Sequence, residues 1–163
     1  DREAMFEYLR NGIFSVVSTD HVAFKQSQKD VEAWWDGEFG ANSLQHTLAV
    51  FQDEAVNERG FSYPFLARVM AANPARTFGF ERKGLIAAGM DADLLVFDPN
   101  ETYTVSAEDN ESKADYSVYE EREVTGRVLK TYRRGELIAD HGDVVAEPGS
   151  GEFVSRAVPD WTE

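Results

Sequence analysis

The sequence has no cysteine, only five prolines, and no apolar run approaching the roughly 18 residues of a membrane span. Missing cysteine excludes disulfides, thiolate metal ligands and a thiol nucleophile. Positive charge is scarce: 16 Lys plus Arg stand against 30 Asp plus Glu, a net charge of −14. That balance argues against a surface made for nucleic acid or anionic lipid, which are held through fixed positive charge. Lysine is scarcest of all, five against eleven arginines. Acid excess with little lysine keeps a protein hydrated in concentrated salt, where screening relieves the self-repulsion. An ordinary acidic cytosolic protein fits the same figures, and the lysine shortage tilts the reading towards a salt-adapted, halophilic source. Asp1 to Met5 has no signal-peptide character. The expectation is a soluble, cytoplasmic protein with no nucleic-acid or membrane partner.

What is present is globular. Hydrophobic residues make up 42% of the 163 and aromatics 12%, too much for a disordered acidic chain and enough for a sizeable core. Asp1 to Asn11 reads as an amphipathic helix with Ala4, Met5, Tyr8 and Leu9 on one face and Asn11-Gly12 as its stop. Ile13 to Thr19 is a short β-branched run of the kind that forms a strand buried on both faces, as in parallel sheets and barrels. His21 to Asn42 reads as a long functional loop with one helical turn near Val31 to Trp35. A helix follows over Leu44 to Arg59, with Leu44, Leu48, Phe51, Ala55 and Val56 inward. Ser62 caps the next helix, which carries Pro64 in its first turn, and Asn73-Pro74 caps a short one ending at Gly79.

Beyond Gly84 the period changes from 3.6 to 2. Strands are expected at Asp93 to Phe97, Tyr103 to Val105, Val124 to Tyr132 and Glu136 to Ala139, with Arg134-Gly135 as a hairpin turn. Ser106 to Glu123 reads as an acidic surface excursion. The tail from Glu147 carries Phe153, Val154, Val158 and Trp161, and apolar residues in a terminal segment imply docking. The division is 1–83, 84–146 and a tail 147–163.

Chemistry concentrates at Ser18-Thr19-Asp20-His21. A carboxylate where a buried strand gives way to a long loop is placed as catalytic groups are in α/β barrels, and it can ligate a metal or carry a proton. The same residues also suit a turn cap, Asp20, beside a histidine satisfying a local hydrogen bond. Spacing alone leaves both open. His46, in a helix's first turn, and His141, in an Asp140-His141-Gly142-Asp143 turn, read as structural or solvated. No HxH or HExxH spacing links the three histidines into a zinc site. Trp34-Trp35 reads as packing for the loop.

The order of motifs says more than any one of them. Val16-Val17-Ser18-Thr19-Asp20-His21 is followed by Gln28-Lys29, then Ala72-Asn73-Pro74-Ala75-Arg76-Thr77-Phe78-Gly79. Lys83-Gly84-Leu85-Ile86-Ala87-Ala88-Gly89-Met90-Asp91-Ala92-Asp93-Leu94-Leu95-Val96-Phe97-Asp98-Pro99 comes next, and then Pro148-Gly149-Ser150-Gly151. This series resembles the C-terminal third of a cyclic amidohydrolase, in the hydantoinase/dihydropyrimidinase and allantoinase branch of the amidohydrolase superfamily, over essentially the whole chain. The Gly-Ser-Gly followed by an aromatic and the Pro159-Asp160-Trp161 ending lean towards dihydropyrimidinase or hydantoinase. The Leu44 to Val56 helix has an allantoinase flavour.

The resemblance implies an α/β fold: the last strand and following helices of a metal-dependent (β/α)8 barrel, then a small β-sandwich module. It implies hydrolysis of a cyclic amide, ureide or imide C–N bond. The cofactor implied is a pair of divalent metal ions, zinc by family habit. Asp20 matches the aspartate that ligates one metal and shuttles the proton, and Asn42, in the loop matching the substrate-facing one, is carried over as a substrate-binding residue. The family's HxH, bridging lysine and other ligands have no counterpart here, so the resemblance implies a fragment, inactive alone. Its expected partners are a small cyclic substrate, the missing N-terminal barrel portion and further copies in a homo-oligomer. The alternative is a non-catalytic assembly relative, or an oligomerisation module using its strand edges.

Overall fold

The computed structural model describes residues 1–159. Asp160-Trp161 of the expected docking tail lies outside the described residues. The helices are α1 (Arg2–Arg10), α2 (Thr47–Gln52), α3 (Tyr63–Ala67) and α4 (Asn73–Thr77), and the strands are β1 (Leu94–Thr104), β2 (Glu123–Arg133), β3 (Glu136–Asp140) and β4 (Asp143–Val144). The chain forms two compact units. One holds Asp1–Ser18, Arg59–Phe97 and the chain from Val128; the other holds Thr19–Glu58 and Asp98–Arg127.

In the first unit, α1 turns Phe6 and the buried Leu9 inward, while Met5 and Tyr8 of the expected face are exposed. Long-range contacts decide the face. Arg59 Nε and Nη2 donate to the Glu3 carboxylate over 3.1 and 2.6 Å, and its guanidinium lies 4.1 Å from the centre of the Phe6 ring. Arg10 reciprocates, 4.1 Å over Phe61 and donating to the Arg59 carbonyl. Two stacked guanidiniums thus fasten the helix by cation–π and hydrogen-bond contacts that no 3.6-residue period reports.

Ser62 caps α3 as expected, accepting from the Phe65 amide at 3.3 Å with Pro64 in the first turn. The run continues through a π turn at Arg68–Ala72 into α4. Pro74 has no N–H for the turn before it, and the wider turn accommodates that gap. Asn73 is therefore inside the helical run rather than its cap, and its side chain donates to the Ser15 carbonyl at 2.6 Å. The run stops at Gly79, φ +73, with the Phe80 amide reaching back to the Ala75 carbonyl.

The strand expected over Ile13 to Thr19 does not form among the described residues. A strand exists through its ladder, and this segment's amides bond to helices instead: Ile13 and Phe14 to the Tyr8 carbonyl at 2.9 and 3.2 Å, and Val17 to the Val69 carbonyl at 3.1 Å.

The sheet order is β1-β2-β3-β4. Two of the expected strands are one: β1 runs unbroken through Asp98-Pro99. Its edge position makes this possible, since an edge strand tolerates a residue that cannot donate. Arg134 and Gly135, φ +51 and +84, make the two-residue turn into β3, and His141-Gly142, φ +51 and +104, repeat it into β4. β2 and β3 pair antiparallel from Arg133↔Glu136, with an irregularity between Thr131 and Tyr132. The described strands make one four-stranded sheet, not the two facing sheets of a sandwich.

The motif Lys83-Gly84…Asp91-Ala92-Asp93 is a scaffold for this unit. The Lys83 ammonium sits between the Asp91 and Asp93 carboxylates, and Arg82 pairs with Asp91. Asp93 also accepts from the Arg134 amide at 2.8 Å, tying the motif to the hairpin turn. Gly84 has φ +84, and a Cβ there would come within 2.7 Å of the Ala71 carbonyl oxygen, so only glycine fits against the helix.

In the second unit, α2 runs on into a π turn at Asp53–Asn57. Ala49 and Val50 pack with Val105 and Val124, flanked by Tyr103 and Tyr119. Leu44, expected inward, is exposed. Arg122 donates to Glu54 over 2.6 Å and so fastens the helix to the start of β2. The acidic stretch 106–123 is more than a solvated excursion: Ala114 and Ser117 are buried, and Gln45 bonds both the Asp109 carbonyl and the Glu111 amide.

Candidate functional site

Asp20 lies in the second unit at φ +47, a left-handed turn that aspartate tolerates better than most residues. Its side chain is exposed, and the carboxylate has no hydrogen-bond or ion-pair partner among the described residues. It therefore does not act as a cap.

Around it, residues 19–22 meet residues 40–44. His21 forms a parallel bridge with Ala41, and the Val22 amide donates to the Ala41 carbonyl at 2.9 Å. Ser43 Oγ donates to the Thr19 carbonyl at 3.4 Å, and the Leu44 amide donates to His21 Nδ1 at 3.2 Å. Gly40, φ +126, makes this approach possible, because a Cβ there would fall 2.5 Å from Val22 Cβ. Lys29 holds the far side of the loop, its ammonium donating to the Gly40 carbonyl at 2.5 Å and the Glu38 carbonyl at 3.3 Å. A short 3₁₀ turn at Gln26–Gln28 is pinned by the Gln26 amide to Asp115, 2.8 Å away. Trp34 and Trp35 pack edge-on with each other, and Trp34 packs on Phe39, but all three stay exposed.

Asn42 is 4% exposed. Its amide donates to the Tyr116 carbonyl, which also accepts from Asn110 at 2.9 Å. Its side-chain nitrogen is thus committed to the protein, and its Oδ1 is buried without a hydrogen-bond partner. Sequence reasoning missed Tyr116, whose carbonyl organises two asparagines, and the Leu44 amide. No local pattern marks either.

His46 is buried, as a structural histidine would be, with Nδ1 3.4 Å from the Tyr103 hydroxyl and Nε2 without a partner. Burial pushes its imidazole below the ordinary histidine range, against the pull of the Asp109 charge. Burial likewise pushes the Tyr103 phenol up, opposed by Arg127, whose guanidinium lies 5.2 Å from the ring centre. His141 belongs to the first unit, exposed beside Asp140. Among the described residues, no three His, Cys, Asp or Glu side chains gather to hold a metal ion. The described residues do not by themselves fit a metal centre.

A family model described as "Amidohydrolase family" matches residues 1–138. An allantoinase of Salmonella newport (strain SL254) is 37% identical over 161 residues, covering 96% of this chain and 34% of the relative. Among solved structures, D-hydantoinase from Bacillus sp. AR9 superposes with a TM-score of 0.93 at 30% identity, over 98% of this chain and 36% of that one. L-Hydantoinase (dihydropyrimidinase) from Arthrobacter aurescens gives 0.86 at 33% identity, over 93% and 34%. The chain spans about a third of the length of these relatives.

Proposed function

Since the chain belongs to the amidohydrolase family, we propose that it forms part of a hydrolase that opens a cyclic amide or ureide ring at a C–N bond, with Asp20 as its proton-carrying carboxylate. The unpartnered, exposed carboxylate of Asp20 beside the 40–44 segment carries this reading. Asp20 takes the proton of the attacking water and delivers it to the ring nitrogen as the C–N bond breaks, so that the nitrogen leaves as a neutral amine or amide rather than an anion.

The relatives support a substrate class. Allantoin is a hydantoin carrying a ureido group, so the ring of an allantoinase substrate and that of a hydantoinase substrate are the same five-membered ureide. We take that ring as the substrate class, with the six-membered dihydropyrimidines as the second reading, supported by the likeness to a dihydropyrimidinase. In the family's manner the segment 13–19 would be a barrel strand and Asp20 one ligand of a divalent metal site, zinc by family habit. The remaining ligands would come from outside the described residues.

In the active protein carrying this chain, Asp20→Asn keeps the shape of the carboxylate but cannot carry the proton. Its kcat falls by at least about 100-fold, with near-normal folding by circular dichroism. Turnover within about tenfold of the parent, roughly 1.4 kcal/mol in barrier, would remove the role. Comparing hydantoin, allantoin and dihydrouracil as substrates decides the ring.

A further inference from the structure

The segment after Asp20 is joined to the segment carrying Asn42 at two points, one backbone and one side chain. The backbone link is the single rung between His21 and Ala41, with Val22 N–H on the Ala41 carbonyl. One rung by itself does not fix the angle between two segments, and the Ser43 hydroxyl reaches only the Thr19 carbonyl, before Asp20, over a long 3.4 Å. The second point, three residues further on, is Leu44 N–H to His21 Nδ1 at 3.2 Å. A backbone amide only donates, so Nδ1 must carry a lone pair there. His21, which lies opposite Ala41 in the rung and whose side chain makes the second link, directly follows the left-handed Asp20, a conformation that costs about 1–3 kcal/mol and persists where neighbours enforce it.

We propose that His21 is a positioning residue: its Nδ1 acceptor holds residues 41–44 against the Asp20 turn and so sets the Asp20 carboxylate relative to a ring seated on that segment. The kinetic consequence rests on the hydrolase reading above. The structural consequence rests on the His21–Leu44 geometry alone.

Three substitutions separate this role from simple packing. His21→Asn places an acceptor oxygen close to where Nδ1 sits. His21→Gln is nearer histidine in volume but reaches the position of Nε2, and His21→Ala removes both. The active protein is assayed with hydantoin and allantoin, and amide hydrogen exchange is followed at Leu44. His21→Asn stays within about fivefold of the parent kcat, whereas His21→Gln and His21→Ala lose about 100-fold with KM little changed, the size of effect expected from a small misplacement. Leu44 stays protected in the parent and in His21→Asn and exchanges faster in the other two. Glutamine matching or surpassing asparagine, or alanine leaving kcat and protection unaltered, overturns the proposal. If His21→Ala fails to fold, the asparagine–glutamine comparison still decides. Should the parent protein turn over neither probe, the hydrolase reading fails, and the order of Leu44 protection alone then supports or overturns the role of His21.

Discussion

The Ala157 amide donates to the Gly79 carbonyl over 2.8 Å, and a Cβ on Gly79 would stand 2.0 Å from the Ala157 carbonyl oxygen. The end of the α4 run and the C-terminal segment therefore meet backbone to backbone, at a residue with φ +73. Thr77 and Phe78 line an open cleft of about 610 Å³ there with Phe153, Ser155, Arg156, Ala157, Val158 and Pro159.

Gly79→Ala has nowhere to put its methyl group, and its backbone angle adds about 1–2 kcal/mol of strain for any L side chain. The expected outcome is release of the segment: faster tryptic cleavage after Arg156 and a lower Tm. Unchanged cleavage and Tm would show that this contact does not hold the tail.

Lys83→Met leaves Asp91 and Asp93 facing each other without their shared cation. The hydrogen bond from Lys83 holds the Asp91 carboxyl below its usual range. At Asp93, burial pushes the carboxyl up but is outweighed by Lys83 and the Arg134 amide, so it too lies low. A lowered carboxyl stabilises the fold above the unfolded value of about 3.9 and loses that contribution as pH falls through the folded value. The parent protein should therefore lose Tm steeply below about pH 4. Lys83→Met should start a few degrees lower at neutral pH and show a shallower acid slope. Thermal unfolding followed from neutral to acid pH reads both, and parallel curves would refute the assignment.

His46 obeys the same linkage with the same sign at a higher pH, because burial rather than a charged partner lowers its value. Its folded value lies below the unfolded one of about 6.5, so the unfolded chain binds the extra proton first. Its contribution to stability is full above about pH 6.5 and falls as pH drops towards the folded value. His46→Gln, which does not titrate, should flatten the change in Tm between about pH 7 and 5. An equally steep change would mean that other groups carry it.

Elements that depend on neighbours in sequence were legible in it. The α1 helix, the Ser62 cap, the turns at Gly79 and Arg134-Gly135, and strands β2 and β3 all rest on residues a few places apart. Asp20 was legible as a candidate because a carboxylate after an apolar run has a limited set of uses. The structure forms no strand over the run before it, because pairing depends on a partner that the run itself does not contain.

The amino-acid sequence by itself determined the family, the charge, the Ser62 cap, the stop at Gly79 and the candidate carboxylate, since these follow from residue type and short spacing. Tertiary structure alone decided that Asn42 gives its amide to Tyr116, 74 residues away. It also decided that His21 accepts from Leu44, that Lys83 bridges two aspartates, and that α1 turns the half-buried Phe6 inward instead of Met5. Hydrogen bonds and ion pairs act over a few ångströms, and which groups come that close is settled only when distant segments of the chain fold together.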